Sequence, residues 1–265
     1  MPPAKKRTRT YDPVKIRTAV LTQFGHVRNG VRGLGPEQLA GPTRLGEWTV
    51  RDLAAHIGMT VESVSVALDR EEPTTAAFGL LDYPFITAPL APAIADGSRA
   101  LAERTPDLDA FFARTEERIV ERLAAAVGTR PLALRAGSMT LTDYLVTRTV
   151  ELVVHTDDLN AAVPGLDIPV ERQALAACTR LLADALAVKA PGASTEVRVP
   201  PYAVVQCVEG PRHTRGTPPN VVETDPLTWI RLATGRLDWK TVLDDAKLSA
   251  SGERADLSGL LPLMS

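Results

Sequence analysis

The sequence predicts a helical bundle over its first half and a smaller α+β unit after it. Three observations carry that reading. Before Gly165, apolar residues recur at helical spacing through four long stretches. Three of those stretches open on capping residues, and the first and last close at Gly and Pro. After Gly165, one further helical stretch gives way to short β-type runs mixed with short helices.

Asp12-Pro13 opens the first helix, with Asp as N-cap and Pro at the first helical position. Val20, Phe24, Val27, Val31 and Leu34 form its apolar stripe, and Gly35-Pro36 ends it. Thr43 to Glu47 reads as a loop. Thr49, with Asp52 three residues on, caps the second helix in capping-box style. Leu53, Ile57, Val61, Val64 and Leu68 mark its buried face. Residues 71–92 are rich in Pro, Thr and Ala, hold Phe78, Tyr83 and Phe85, and form a candidate lid or crossover. A third helical region runs from about Ala91 to Val127, broken or kinked at Thr105-Pro106. Thr140 and Asp143 cap a fourth helix, Leu141 to about Val163, which Pro164-Gly165 stops. Such helices with one long connection describe a bundle.

Beyond Gly165, Val170–Val188 reads as helix. β-type runs follow at Glu196–Val199, Tyr202–Val208, Val221–Glu223 and Lys247–Ala250. Short helices are expected around Pro226–Thr234 and Ala255–Leu261. The division is therefore a tail over 1–11, a bundle over 12–165 and an α+β domain over 166–265.

The chain has 265 residues, 45% of them apolar and 23% charged, so a packed core is expected. A net charge of −2 gives no electrostatic case for a nucleic-acid partner. Lys5, Lys6, Arg7 and Arg9 make only the start basic, and residues 1–11 read as a solvated tail. No apolar run is long enough for a membrane helix, and the N-terminus lacks a secretory apolar region. The two cysteines, Cys178 and Cys207, are too few for a disulfide framework and read as small core residues. A cytoplasmic protein with no membrane partner is expected.

One constellation offers specific chemistry. Glu151 and His155 lie four residues apart on one helix, so they share a face. His56, on another helix, would complete a two-His, one-carboxylate set with open coordination positions, as at catalytic metals. Each residue also has a plainer reading. His56 could be a hydrogen-bonded core histidine, and Glu151–His155 an ordinary helix pair. The apolar flank Leu152, Val153 and Val154 favours burial, and a buried carboxylate needs a metal or a cation beside it. Arg148 competes for that role. Asp158 could orient a ligand from behind or face solvent near the helix end. His26 and His213 have no partner pattern, the latter in a loop-like run. Phosphate-loop, dinucleotide-fingerprint, nucleophile-elbow and C-x-x-C motifs are absent.

At Trp48-Thr-Val-Arg-Asp52-Leu-Ala-Ala-His56 and Arg148-Thr-Val-Glu151-Leu-Val-Val-His155-Thr-Asp-Asp158-Leu159 the chain resembles the mycothiol-dependent maleylpyruvate isomerase family. That family belongs to the wider DinB-like superfamily of metal-binding four-helix bundles. The resemblance covers roughly residues 12–165. It implies a divalent metal, in the family typically zinc (Zn2+), at His56, Glu151 and His155, with mycothiol as thiol cosubstrate. Asp225-Pro-Leu-Thr-Trp229-Ile-Arg-Leu-Ala-Thr-Gly235-Arg236 and Leu248-Ser-Ala-Ser-Gly252 resemble a sterol-carrier-protein-like domain. Such a domain can lend an arginine to the site; Arg236 is the first candidate and Arg231 the second, each with a surface or helix-end position as its plain alternative.

The resulting expectation is a metal- and mycothiol-dependent isomerase or S-transferase acting on a small electrophilic molecule, as a monomer or homodimer. A non-enzymatic carrier with a lipid or other apolar ligand in the C-terminal domain is the alternative. A stress-related regulatory protein is a third reading, which the two-domain layout disfavours.

Overall fold

A computed structural model of the chain describes residues 9–210 and 218–264. His213 and most of the basic N-terminal run lie outside the described residues. Arg9 pairs with Asp184 at 2.7 Å, and Tyr11 packs against the core.

The bundle consists of α1 (Pro13–Arg32), α3 (Val50–Leu68), α6 (Leu108–Ala124) and α7 (Leu141–Ala162). α1 packs on α6 and α7, and α3 on the same pair. The local signals act as expected. Asp12 accepts from the amides of Val14 and Lys15. Thr49 and Asp52 form a reciprocal capping box. Thr140 accepts from Asp143 N–H. α5 (Ala91–Arg104) and α6 are separate helices, broken at Thr105-Pro106, and α5 lies outside the bundle against α3. Gly58 lets α3 approach α6 closely: a Cβ there would sit 2.2 Å from the Phe111 ring.

Several short elements carry no strong sequence signal. They are α2 (Pro36–Ala40), α4 (Tyr83–Ile86) and an antiparallel hairpin of β1 (Pro131–Leu134) and β2 (Gly137–Thr140). The hairpin fixes the long 71–92 connection. The amides of Ala77 and Phe78 donate to Ser138 O at 2.9 and 3.2 Å, and Ser138 Oγ donates to Thr75 O at 2.8 Å.

α8 (Arg172–Lys189) joins the two halves, packing on α1 and α7 on one side and on the C-terminal sheet and α9 on the other. The sheet has order β4-β3-β5-β6, formed by Ala203–Cys207, Thr195–Val199, Val221–Thr224 and Leu248–Ser251. β3 pairs parallel with β5; the other neighbours are antiparallel. α9 (Pro226–Ala233) and α10 (Trp239–Asp244) lie between β5 and β6. The helix expected over Ala255–Leu261 is instead a single 3-10 turn, Ser258–Leu260. Gly259 lies within that turn and Pro262 follows two residues after it, leaving a segment too short to propagate an α-helix. One apolar cluster runs through bundle, α8 and sheet, and Cys178 and Cys207 are buried in it. No helix among the described residues is long and apolar enough to cross a membrane.

Candidate metal centre and active site

His56 comes from the second turn of α3, and Glu151 and His155 from the middle of α7. The Nε2 atoms of His56 and His155 lie 3.2 and 3.4 Å from the same carboxylate oxygen, Glu151 Oε2. One ligand atom from each residue can be chosen so that all lie within 4.8 Å of one another. The two imidazoles meet edge to face, with centroids 4.8 Å apart.

The far nitrogens decide what the near ones can do. His56 Nδ1 is 3.1 Å from Ser98 Oγ. Ser98 already spends its hydroxyl proton on Ile94 O at 2.8 Å, so it accepts, and His56 Nδ1 carries a proton. His155 Nδ1 lies 2.8 Å from Asp158 Oδ2 and is likewise the donor. In the neutral rings, both Nε2 lone pairs therefore point at a carboxylate oxygen. Three electron-rich atoms converge, and only a proton or a cation between them removes the repulsion. Tetrahedral zinc with bonds of about 2.1 Å sets its ligand atoms about 3.4 Å apart. The donor set and its spacing fit a divalent ion.

The charges around the cluster agree. Burial opposes ionisation of Glu151, but hydrogen bonds from His155 and His56 and the charge of Arg148 outweigh it and hold the carboxyl well below its ordinary range. Burial lowers the pKa of His56. For His155 burial acts the same way, but Asp158 and Glu151 outweigh it and raise the pKa. Arg148, the competing partner, lies 3.9 Å from Glu151, farther than either histidine. Tyr83 Oη donates to Glu151 Oε1, so the 71–92 connection contributes directly to the site.

Asp158 is fully buried, not solvent-facing. It accepts from His155, from Arg44 Nε at 2.6 Å and from Arg236 Nη2 at 2.9 Å. Its neighbour Asp157 takes a bidentate contact from Arg231, at 3.0 Å from Nε and 2.5 Å from Nη2. The two arginines of the C-terminal half thus dock on consecutive aspartates of α7. Arg236 reaches there through a Schellman ending of α9. Gly235 adopts φ +70°, Arg236 N–H donates to Arg231 O at 2.7 Å, and Gly235 N–H to Leu232 O at 3.3 Å. Arg236 lines a cavity of about 300 Å³ together with His56, Glu151, His155, Trp48 and Met264; Arg231 does not.

Residues 21–160 match the family model of the mycothiol maleylpyruvate isomerase N-terminal domain. The chain belongs to that family. Residues 171–263 match a second model, described as a bacterial SCP ortholog. Among solved structures, the family member mycothiol-dependent maleylpyruvate isomerase is similar at 14% identity and TM-score 0.60, covering 93% of this chain and 95% of that one. A histidine-to-alanine mutant of it is similar at 13% identity and TM-score 0.58, with the same coverage. At that identity the likeness speaks for the fold. No curated protein sequence matches the chain.

Within this family frame, His56, Glu151, His155 and Arg236 come together around one cavity. Sequence reasoning missed Ser98 and Arg44, and noted Tyr83 only as an aromatic in a long connection. A lone serine or arginine carries no local signal of a partner dozens of residues away.

Proposed function

We propose that the chain is a mycothiol-dependent isomerase whose His56, Glu151 and His155 hold a divalent ion, zinc by chemistry, and whose substrate is a small unsaturated acid. The observation that carries this is the convergence of two Nε2 lone pairs and a carboxylate oxygen, with both Nδ1 protons committed to Ser98 and Asp158. Family membership and the fold of mycothiol-dependent maleylpyruvate isomerase support the choice of thiol and of reaction.

A divalent ion here would hold a thiol as its thiolate. The chain's own residues then set the rest. Ser98 and Asp158 fix the two imidazole orientations. Tyr83 keeps its hydroxyl proton on Glu151 Oε1, which fixes the other carboxylate oxygen toward the histidines. Leu45, Trp48, Val150 and Val154 wall the cavity with apolar surface that excludes water. Arg236, turned into the cavity while anchored on Asp158, receives a substrate carboxylate or the oxygen that becomes negative.

The thiolate sulfur would form a bond to one alkene carbon of a conjugated acid. The π electrons would move onto the conjugated carbonyl oxygen beside Arg236. The former double bond, now single, rotates. Return of the electrons expels the thiolate and restores the alkene in the other geometry. Retention of the sulfur instead would give an S-transferase, which the same residues could serve.

The test is metal content by elemental analysis of wild type and His155→Ala, followed by mycothiol-dependent isomerisation of maleylpyruvate by the zinc-loaded chain. About one zinc in wild type, lost in the variant, with thiol-dependent turnover, is the expected result. A wild type unable to take up zinc would sink the enzyme reading and direct the search to apolar ligands of the C-terminal domain.

A further inference from the structure

A second cavity reaches the same histidine and carboxylate. It holds about 270 Å³ and shares His56, Glu151, Thr87 and Ile94 with the cavity that carries Arg236. It runs from Glu151 toward the N-terminal end of α7, along Tyr144 and Arg148, and opens between the β1–β2 turn and the start of α5. Exposed Arg135, Ala136 and Ala93 stand at its mouth. Met59, Phe78, Ile86, Leu90 and Met139 make its walls apolar.

Arg148 lines this inner chamber and is only 7% exposed. Its hydrogen bonds go to neutral acceptors: Thr147 Oγ1 at 3.2 and 3.1 Å, and Thr60 O at a marginal 3.5 Å. A guanidinium has five N–H donors, so these three bonds leave it under-used. Its guanidinium carbon lies over the Tyr144 ring, 4.5 Å from the centroid. The one carboxylate within 4 Å among the described residues is Glu151, at 3.9 Å, and that group already serves both histidines and Tyr83. Arg231 and Arg236, by contrast, each have their own aspartate at 2.5 and 2.9 Å. A buried cation without a dedicated counter-ion is costly and calls for an anion. Among the described residues Glu151 is the only acid lining the chamber, and a cation at the histidines would neutralise it.

We infer that the inner chamber binds a small carboxylate with an apolar body, its carboxylate on Arg148 and its body among Met59, Phe78 and Met139. The volume lies just under the range of about 300–1,000 Å³ usual for ligand pockets, so the ligand is small. Resting on the function proposed above, this ligand is the unsaturated acid itself, reaching the cluster through a chamber that Arg236 does not line. Binding as such does not depend on turnover, so the two readings fail separately.

The probe is trans-cinnamate, with neutral cinnamamide as control, titrated calorimetrically into the full chain, zinc-loaded and metal-free. Wild type should bind cinnamate, and bind it more tightly when zinc-loaded, because Glu151 no longer repels it. Cinnamamide and Arg148→Met should each lose about tenfold or more in affinity, as expected for a bidentate charged contact. Ala93→Trp, at the exposed mouth, should block binding without touching a buried charge, and decides the matter if Arg148→Met does not fold. No binding, equal affinity for the amide, or unchanged affinity in Ala93→Trp would overturn the inference. So would loss in Arg236→Met with retention in Arg148→Met, which would put the ligand in the outer cavity.

Discussion

Replacing Asp158 by Asn perturbs the site and the junction of the two halves together. The carboxylate accepts four hydrogen bonds: Oδ1 from Arg44 Nε at 2.6 Å and Arg236 Nε at 3.2 Å, Oδ2 from Arg236 Nη2 at 2.9 Å and His155 Nδ1 at 2.8 Å. An amide has one acceptor oxygen, so one edge would present N–H to N–H. With the oxygen kept toward His155, the bonds from Arg44 Nε and Arg236 Nε are lost. Hydrogen bonds to charged groups contribute about 1.5–3 kcal/mol each, which gives about 3–6 kcal/mol. Breaking a buried ion pair costs about 3–5 kcal/mol, which agrees. Arg44 is 30% exposed at its side chain and keeps Asp157, so the lower end, about 3 kcal/mol, is expected. Loss of the partner that orients a histidine ligand typically weakens metal affinity about 10–100-fold. Urea unfolding of the metal-free chain gives the first quantity, and zinc titration against a competing chelator gives the second. Stability within about 1 kcal/mol of wild type together with wild-type zinc affinity would refute the role assigned to Asp158.

Other perturbations test separate links. Gly235→Ala places a Cβ at φ +70° and should cost about 1–2 kcal/mol by thermal unfolding, with loss of the proposed isomerisation because Arg236 is carried on that turn. Gly58→Ala drives a methyl to 2.2 Å from the Phe111 ring and should destabilise by about 1–3 kcal/mol, with the Phe111→Leu partner change recovering part of it. Acid should unfold the chain through Asp157 and Asp158. Burial opposes their ionisation, but Arg231 and Arg44 outweigh it at Asp157, and His155 and Arg236 at Asp158, so both pKa values are depressed. The folded state then binds fewer protons than the unfolded one. The stabilisation is complete above the ordinary aspartate pKa of about 3.9 and disappears as pH falls through the folded values. Urea midpoints should fall as pH is lowered from about 4 toward the depressed folded values, more in wild type than in Asp158→Asn.

Much of the helical half was legible because its determinants are local. Asp12-Pro13, the Thr49–Asp52 box and the Thr140 cap act within three residues of themselves. The Thr105-Pro106 break is a steric property of one dipeptide. The hairpin 131–140 was not legible. Its strands are four residues each, the first begins with Pro, and the turn Arg135-Ala136 lacks the Asn-Gly type signal of a tight hairpin. The segment Ala255–Leu261 misled for the opposite reason, since apolar spacing in so short a run does not distinguish a helix from a chain docked on a core.

By itself the sequence determined that Glu151 and His155 share a face of one helix, because four residues are about one turn, and that His56 follows a capped start on another. Only the tertiary structure decided that the three meet. His56 and Glu151 are 95 positions apart, His56 and Ser98 are 42, and Arg236 and Asp158 are 78. Helix caps and stripes follow from the energetics of neighbouring residues. The tautomers of the two histidines, the burial of Asp158 and the exposure of Arg148 to an apolar chamber follow from how α3, α5, α7 and the turn after α9 pack, and no local pattern encodes that packing.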